Sequence, residues 1–422
     1  MFKKLKINGW RQFSNIDINF HDHLTVLTGA NGAGKTTLLN LLSKSIGGES
    51  TFLGSYEKSD DGTSKYSNSL DISKQSALDS LPTLNSCAQA MNKFGYIEYS
   101  NEKVGDLVVP EVIKSRIYGV QINGMNLEKG VYIDSHRPIF PYKDLKNIPT
   151  SVFSRTNIFA NFNRFIKTYM LDGYRNTEEM SATILIKQAL ASLIVFGYGN
   201  KFTIPNDSAR MLFEGYVEIL KKVLPPELGF KDIALDVPEI MLRTNTGNFP
   251  LDAASGGISS IIEMTWLLYM YADTSESFVA LIDEPENHLH PELQKSLLSN
   301  LISAFPNVQF IVATHNPFMI TAVKDSNVYV LKYNDNNKVV SNQLDYINKA
   351  GSSNTILREV LGIDSSIPIW AEKELKRIVE IFSSKDFTQD NMDELRTEMT
   401  NSGLSDLLPN TISKIIKDKP ND

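Results

Sequence analysis

Apolar and polar positions alternate from the start of the chain. KKLKING and FSNIDINF read as two short strands, and LTVLTG as an apolar strand ending in glycine. From about Gly47 to Ser80 the composition shifts to Ser, Gly, Asp and Lys, and SYEKSDDGTSKYSNS is nearly free of apolar residues. That stretch is expected to be a flexible, exposed insert. Alternation returns in FGYIEYS, KVGDLVV and SRIYGVQI, and GVYIDSHRPIF reads as a strand running into a loop. Between about Asn157 and Leu224 the period lengthens, and NIFANFNRFIKTYML, SATILIKQALASLIVFGYG and ARMLFEGYVEILKKVL predict three helices. None sustains an a/d heptad over three or four repeats, so no long coiled-coil arm is encoded. Strand signals resume after Gly229, a motif-dense stretch spans about Leu251 to Met319, and a charged, mainly helical tail begins near Asn354. No repeat of fixed period is present. The pattern predicts an α/β fold: a mixed sheet core with flanking helices, an inserted helical subdomain and a helical C-terminal tail.

Length adds that 422 residues exceed what one hydrophobic core usually organises, which fits an insertion. No run of about 18 apolar residues occurs to span a bilayer. MFKKLKINGW lacks the apolar stretch of a signal peptide, and the single cysteine, Cys87, has no internal partner, so a reducing, cytoplasmic setting is expected. A net charge of −7 argues against a protein that coats nucleic acid over its whole surface, and leaves a local basic groove open. No basic amphipathic helix points to a membrane partner.

Three motifs carry chemistry. Gly29-Ala-Asn31-Gly32-Ala33-Gly34-Lys35-Thr36-Thr37 matches the phosphate-binding loop in full, after an apolar strand and before the helical run TLLNLLSKS. Backbone N–H groups from Asn31 to Thr37 would cradle the phosphates of ATP, Lys35 would reach the β/γ oxygens, and the Thr36 hydroxyl would serve Mg²⁺. The competing reading is a glycine-rich turn. Phe278-Val-Ala-Leu-Ile-Asp283-Glu284-Pro285 is a buried-strand pattern ending in two carboxylates. Asp283 would hold Mg²⁺ through a water, and Glu284 would polarise the attacking water as general base; alternatively the strand simply ends in an acidic turn. Ser255-Gly256-Gly257 precedes the helical run IIEMTWLLYMYA and forms a helix N-terminus suited to an anion, or an ordinary N-cap.

Here a resemblance becomes specific. ASGGI is similar to the LSGGQ signature of ABC ATPases, with Ala254 for Leu and Ile258 for Gln, and it precedes the Asp-Glu strand as in that superfamily. The resemblance implies an ABC-type P-loop NTPase head in which Ser255 acts in trans on the nucleotide of a second copy. ENHLHP, ending Asn287-His288-Leu289-His290-Pro291, resembles the D-loop of SMC, RecF and OLD-like ATPases. His288 and His290 would otherwise read as a metal pair, but no Cys or third His lies at ligand spacing. FIVATHNP resembles the strand carrying the switch histidine, which makes His315 a γ-phosphate sensor; a satisfied core histidine is the plain alternative. Arg11 in GWRQF resembles the basic residue that approaches the nucleotide in the same ATPases, or is a surface arginine. The loop after GVYIDSHRPIF offers Ser135, His136 and Arg137 where transporter subunits place a glutamine, and Gln121 lies in an earlier strand.

The domains expected on this basis are an N-terminal head part at 1–156, with its insert at about 47–80, a helical insert at 157–228, a C-terminal head part at 229–345 and a helical tail at 346–422. The plan, with the tail segment GSSNTILREVLGI, resembles the stand-alone ATPases of antiphage systems, the Septu ATPase first and the PARIS ATPase second. The resemblance implies an ATP-hydrolysing subunit, forming a homodimer or higher even oligomer, that regulates a separately encoded HNH or Toprim nuclease or a toxin and senses nucleic acid. A nuclease in cis is disfavoured, since only about 90 residues follow Val330 and none forms a D-x-D pair after an apolar strand. The runner-up is a repair clamp of the RecF or SMC type. A transporter subunit ranks third for want of the glutamine loop.

Overall fold

The computed structural model describes residues 1–58, 64–68, 70, 83–84, 90–113, 115–137, 142–172, 181–272, 276–345, 356, 368–383, 385–386, 388–409, 411–412 and 415. It divides into two compact units, Met1–Gly351 and Ser352–Asp422.

The first unit is organised by one sheet. β1 (Phe2–Trp10) and β2 (Phe13–Asn19) form an antiparallel hairpin in which Leu5 faces Ile18 and Ile7 faces Ile16. All four are fully buried, while Lys4 and Lys6 on the opposite face reach Asp17, as the alternation requires. β3 (Leu24–Gly29) is buried at every residue. The next strands are β4 (Thr51–Leu53), β5 (Ser55–Lys58), β6 (Ser64–Ser67), β7 (Thr83–Leu84), β8 (Ala90–Tyr99), β9 (Val104–Pro110), β10 (Ile117–Gly119), β11 (Gln121–Asn123) and β12 (Gly130–Ile133). Later come β13 (Phe230–Asp236), β14 (Glu239–Thr244), β15 (Phe249–Pro250), β16 (Phe278–Asp283), β17 (Val308–Ala313), β18 (Asn327–Tyr333) and β19 (Val339–Gln343).

Among the described residues the main sheet runs β11-β9-β8-β1-β2-β19-β18-β3-β17-β16-β12. One wing, β12-β16-β17-β3-β18, is wholly parallel, and the wing from β11 to β2 is antiparallel. This is the mixed α/β architecture expected. Its parallel wing needs cover on both faces, which accounts for the continuous apolar runs LTVLTG, FVALID and VQFIVA. The carboxyl ends of five neighbouring parallel strands then share one edge, where ligands bind in open α/β sheets.

The described part of the 47–80 insert is more ordered in pattern than its polarity implies. β4 pairs with β10, and β5 pairs with β6. Phe52 is the reason: it is buried edge-on against Trp10 at 5.1 Å and anchors an otherwise polar stretch. Residues 59–63, 69 and 71–80 of that expected insert lie outside the described residues.

Helix α1 (Lys35–Ser43) follows β3. The three expected helices are α2 (Arg155–Asp172), α3 (Ala182–Tyr198) and α4 (Asp207–Val223). α3 starts at a Ser181 cap and α4 at an Asn206 cap, each side chain accepting a backbone N–H from the first turn. α2 and α4 pack on α5 (Gly256–Tyr271), which is buried almost all round and mostly apolar. Tyr216 on α4 stacks edge-on against Trp266 and donates its hydroxyl to the Ile262 carbonyl at 3.0 Å. α6 (Pro291–Ala304) and α7 (Pro317–Thr321) complete this unit.

In the second unit, α8 (Ile369–Ser383) and α9 (Gln389–Asn401) pack through Ile378, Phe382, Leu395 and Met399. Of GSSNTILREVLGI only Ile356 lies within the described residues. No described helix is long and apolar enough to cross a membrane.

Candidate nucleotide site

The site begins where β3 ends. Gly29 has φ 140°, and a Cβ there would come 2.4 Å from the Leu331 carbonyl oxygen, so the close pairing of β3 with β18 demands glycine. Gly34 caps α1 at φ 95°, and a Cβ on it would meet Gln12 Nε2 and the Phe13 ring, each at 2.5 Å. Between them Asn31 and Gly32 are exposed and Ala33 is fully buried. Lys35 folds back over the loop, its Nζ donating to the carbonyls of Gly29 at 2.9 Å and Ala30 at 3.2 Å. Burial lowers its pKa, against the opposing pull of Glu284, Asp283 and Glu286. Thr36 is exposed and Thr37 partly so.

At the end of β16, two strands away, Asp283 Oδ2 accepts the Thr36 hydroxyl at 2.8 Å. Asp283 is 3% exposed, and burial raises its pKa although the Thr36 bond works the other way. The next residue leaves the strand in the left-handed region: Glu284 has φ 46°, while its N–H still reaches the Ala313 carbonyl on β17 at 2.8 Å. Its side chain is therefore separated from that of Asp283. Glu284 Oε1 stands 3.2 Å from His315 Nδ1, and Oε2 accepts from Asn287 Nδ2 at 3.2 Å. His315 is itself held at the end of β17, where Thr314 N–H bonds the Leu27 carbonyl at 2.9 Å. The Thr314 hydroxyl donates to Glu286, whose carboxyl burial pushes upward in pKa.

The structure thus brings Lys35, Thr36, Asp283, Glu284 and His315 to one edge. It places Ser255, Gly256 and Gly257 elsewhere. Ser255 caps α5, with Oγ accepting from Ile258 N–H at 3.5 Å. A Cβ on Gly257 would lie 3.1 Å from the His288 carbonyl. No hydrogen bond among the described residues joins 255–257 to the phosphate loop. Arg11 has φ 54°, donates to the Leu53 carbonyl at 3.0 Å, and lies 5.9 Å from the Trp10 ring centroid and 5.8 Å from that of Phe52. It is the next residue, Gln12, that borders the loop at Gly34.

Beside the site stand residues to which the motifs give no role or which lie outside any motif. Tyr333, half exposed at the end of β18, puts its hydroxyl 3.6 Å from where a Cβ on Gly32 would stand. Asn287 Nδ2 also bonds the Ser135 carbonyl at 3.1 Å. Arg137 NH2 reaches the carbonyls of Glu284, Pro285 and Asn287. The only hint in the sequence was a strand-end loop without its glutamine. His290 caps α6 through Nδ1, and no group of three His, Cys, Asp or Glu side chains able to hold a metal ion occurs among the described residues.

Residues 4–166 match a family described as "AAA domain", and residues 174–321 one described as "AAA domain, putative AbiEii toxin, Type IV TA system". The chain is 20% identical to the Septu protein PtuA of Bacillus thuringiensis over 387 residues, spanning 87% of this chain and 85% of that protein. It is 37% identical to the "Retron Vc95 probable ATPase" of Vibrio cholerae over 68 residues, a local match covering 16% of this chain and 11% of the other. The SMC head domain from Thermotoga maritima superposes with a TM-score of 0.42 at 13% identity, over 82% of this chain and 99% of that one. The chain thus carries two regions similar to AAA domains, and it is similar to a Septu protein along most of its length and to a retron probable ATPase locally.

Proposed function

We propose that this chain is the ATP-hydrolysing subunit of an antiphage-defence complex, in which two copies close on two nucleotides and regulate a separately encoded nuclease or toxin. The observation that supports it most is the convergence of the Thr36–Asp283 pair, 2.8 Å apart, and the Glu284–His315 pair, 3.2 Å apart, on the edge that carries the phosphate loop.

Each residue then has a role. Backbone N–H groups of Asn31 to Thr37 and the N-terminus of α1 hold the phosphates, and Lys35 exchanges its two loop carbonyls for β/γ oxygens. Mg²⁺ suits the hard oxygen donors of Thr36 and Asp283, and when bound it would neutralise charge on the phosphate oxygens. Glu284, on its own side of the turn, takes a proton from the attacking water. His315 orients that carboxylate and meets the γ-phosphate. Ser255 and the exposed end of α5 serve the nucleotide of a second copy, which makes the working unit an even oligomer. Nucleic acid is the proposed trigger, sensed through a local surface. The near full-length similarity to a Septu protein favours this reading over a repair clamp.

Light scattering of the Glu284→Gln protein, with and without ATP and Mg²⁺, tests the proposal beside its ATP turnover. A nucleotide-dependent dimer or larger even assembly with turnover lost is the expected result. A nucleotide-bound monomer would overturn the role in trans of Ser255, and undiminished turnover would overturn that of Glu284. A small HNH or Toprim gene beside this one is the expected genomic setting.

A further inference from the structure

Arg137 lies four residues past β12, in the segment that follows that strand. One terminal nitrogen, NH2, donates to three main-chain carbonyls of the turn after β16: Glu284 at 3.3 Å, Pro285 at 3.2 Å and Asn287 at 3.5 Å. The turn answers through Asn287, whose Nδ2 donates to the Ser135 carbonyl at 3.1 Å. Two loops from neighbouring parallel strands are thereby bound reciprocally. The other donors of the guanidinium, Nε and NH1, are buried and meet no acceptor among the described residues. Of the acidic groups around it, Glu263 acts on it most strongly, ahead of Glu286 and Glu284. Glu263 lies on α5, two turns past Ser255, and is 5% exposed. Arg137 therefore joins two elements, the segment after β12 and the turn that bears Glu284.

Glu284 keeps a left-handed backbone with a full side chain, a conformation that persists only where the surroundings impose it. Bonds to the carbonyls of Glu284 and Pro285 fix the peptide planes that follow the residue, and so fix where its carboxylate points. A flat guanidinium can span several carbonyls from one position, whereas a lysine ammonium acts as a single point. We infer that Arg137 is a positioning residue for hydrolysis: it holds the turn that aims Glu284. The inference rests on the reading of Glu284 as the general base. It gives the glutamine-free loop a task.

The test uses the full chain with Mg²⁺, measuring ATP turnover and the binding of a fluorescent ATP analogue for the natural protein, R137M, R137K and R137G. R137M is expected to bind the analogue within about threefold of the natural protein while kcat falls by about 100-fold, the scale of a misplacement near 1 Å. R137G is expected to regain part of its turnover with millimolar methylguanidinium and none with methylammonium. R137M turnover within about threefold of the natural protein, or joint loss of binding and turnover in R137G without rescue, would overturn the inference. Should R137M fail to fold, R137K decides: binding with turnover at least about tenfold slower supports the inference, and unchanged turnover overturns it. Absence of turnover in the natural protein would instead sink the reading of Glu284.

Discussion

His315 Nδ1 and Glu284 Oε1 stand 3.2 Å apart although they close two different strands, because β16 and β17 run parallel in a register that pairs Asp283 with Ala313. The pair is half open to solvent, with 50% of the histidine and 29% of the glutamate side chain exposed. A structural ion pair so exposed contributes at most about 1 kcal/mol. His315→Ala is therefore expected to leave the unfolding midpoint nearly unchanged while ATP turnover falls by about 100-fold or more, the range of lost general acid or base assistance. Steady-state turnover beside a urea melt separates the two effects. A large loss of stability with normal turnover would make His315 a core residue.

Thr36 and Asp283 answer to a different measurement. Thr36→Val removes the hydroxyl within 2.8 Å of the carboxylate and keeps the shape. Turnover is expected to require several-fold more Mg²⁺, while analogue binding without metal stays close to normal. A Mg²⁺ titration that superposes on that of the natural protein would remove Thr36 from the metal site.

The carboxyl of Glu263 makes stability depend on pH. Burial pushes its pKa up to about 8, with Arg137 opposing, from an ordinary value near 4.5. Between those values the unfolded chain has lost the proton that the folded chain keeps, so this group lowers stability as pH rises from about 4.5 to about 8 and has no further effect above. The slope is at most about 1.4 kcal/mol per pH unit. Urea midpoints at pH 5, 6.5 and 8 should converge toward a flatter line in Glu263→Gln. Equal slopes in the two proteins would show that the group ionises freely in the fold.

Lys187 on α3 is wholly buried and donates to Glu239 at 2.8 Å, Asp252 at 3.0 Å and the Lys143 carbonyl at 2.8 Å. Lys187→Met would leave two carboxylates facing each other in the interior, at a cost of about 3–5 kcal/mol. Chemical denaturation should find most of that loss, and Lys187→Met combined with Asp252→Leu should recover part of it. Because Asp252 lies three residues before Ser255, the single variant should also weaken nucleotide-driven assembly.

The residues that make the site legible are those whose chemistry is local. A phosphate loop is a run of backbone N–H groups between a strand and a helix, so its sequence is nearly its structure, and LTVLTG with TLLNLLSKS announced both flanks. The Asp283–Glu284 strand end is local in the same sense. The three helices between Arg155 and Val223 were readable from period alone. What stayed hidden depends on contacts distant in the chain. Arg137 and Glu284 are 147 residues apart, and only the pairing of β12 with β16 makes them neighbours. Gln12 and Tyr333 border the phosphate loop for the same reason, through β2, β19 and β18. The 47–80 stretch misled because its polarity is real, and a single aromatic, Phe52, suffices to seat part of it.

The backbone angle at Glu284 sets stability and turnover against each other. A residue with a Cβ held at φ 46° costs about 1–2 kcal/mol that glycine would not. A library sorted purely for heat resistance would therefore favour glycine where the proposed base stands, and its hardiest members would be mute toward ATP. Directed evolution of this chain needs a selection for turnover at every round, since robustness alone would carry it away from its chemistry.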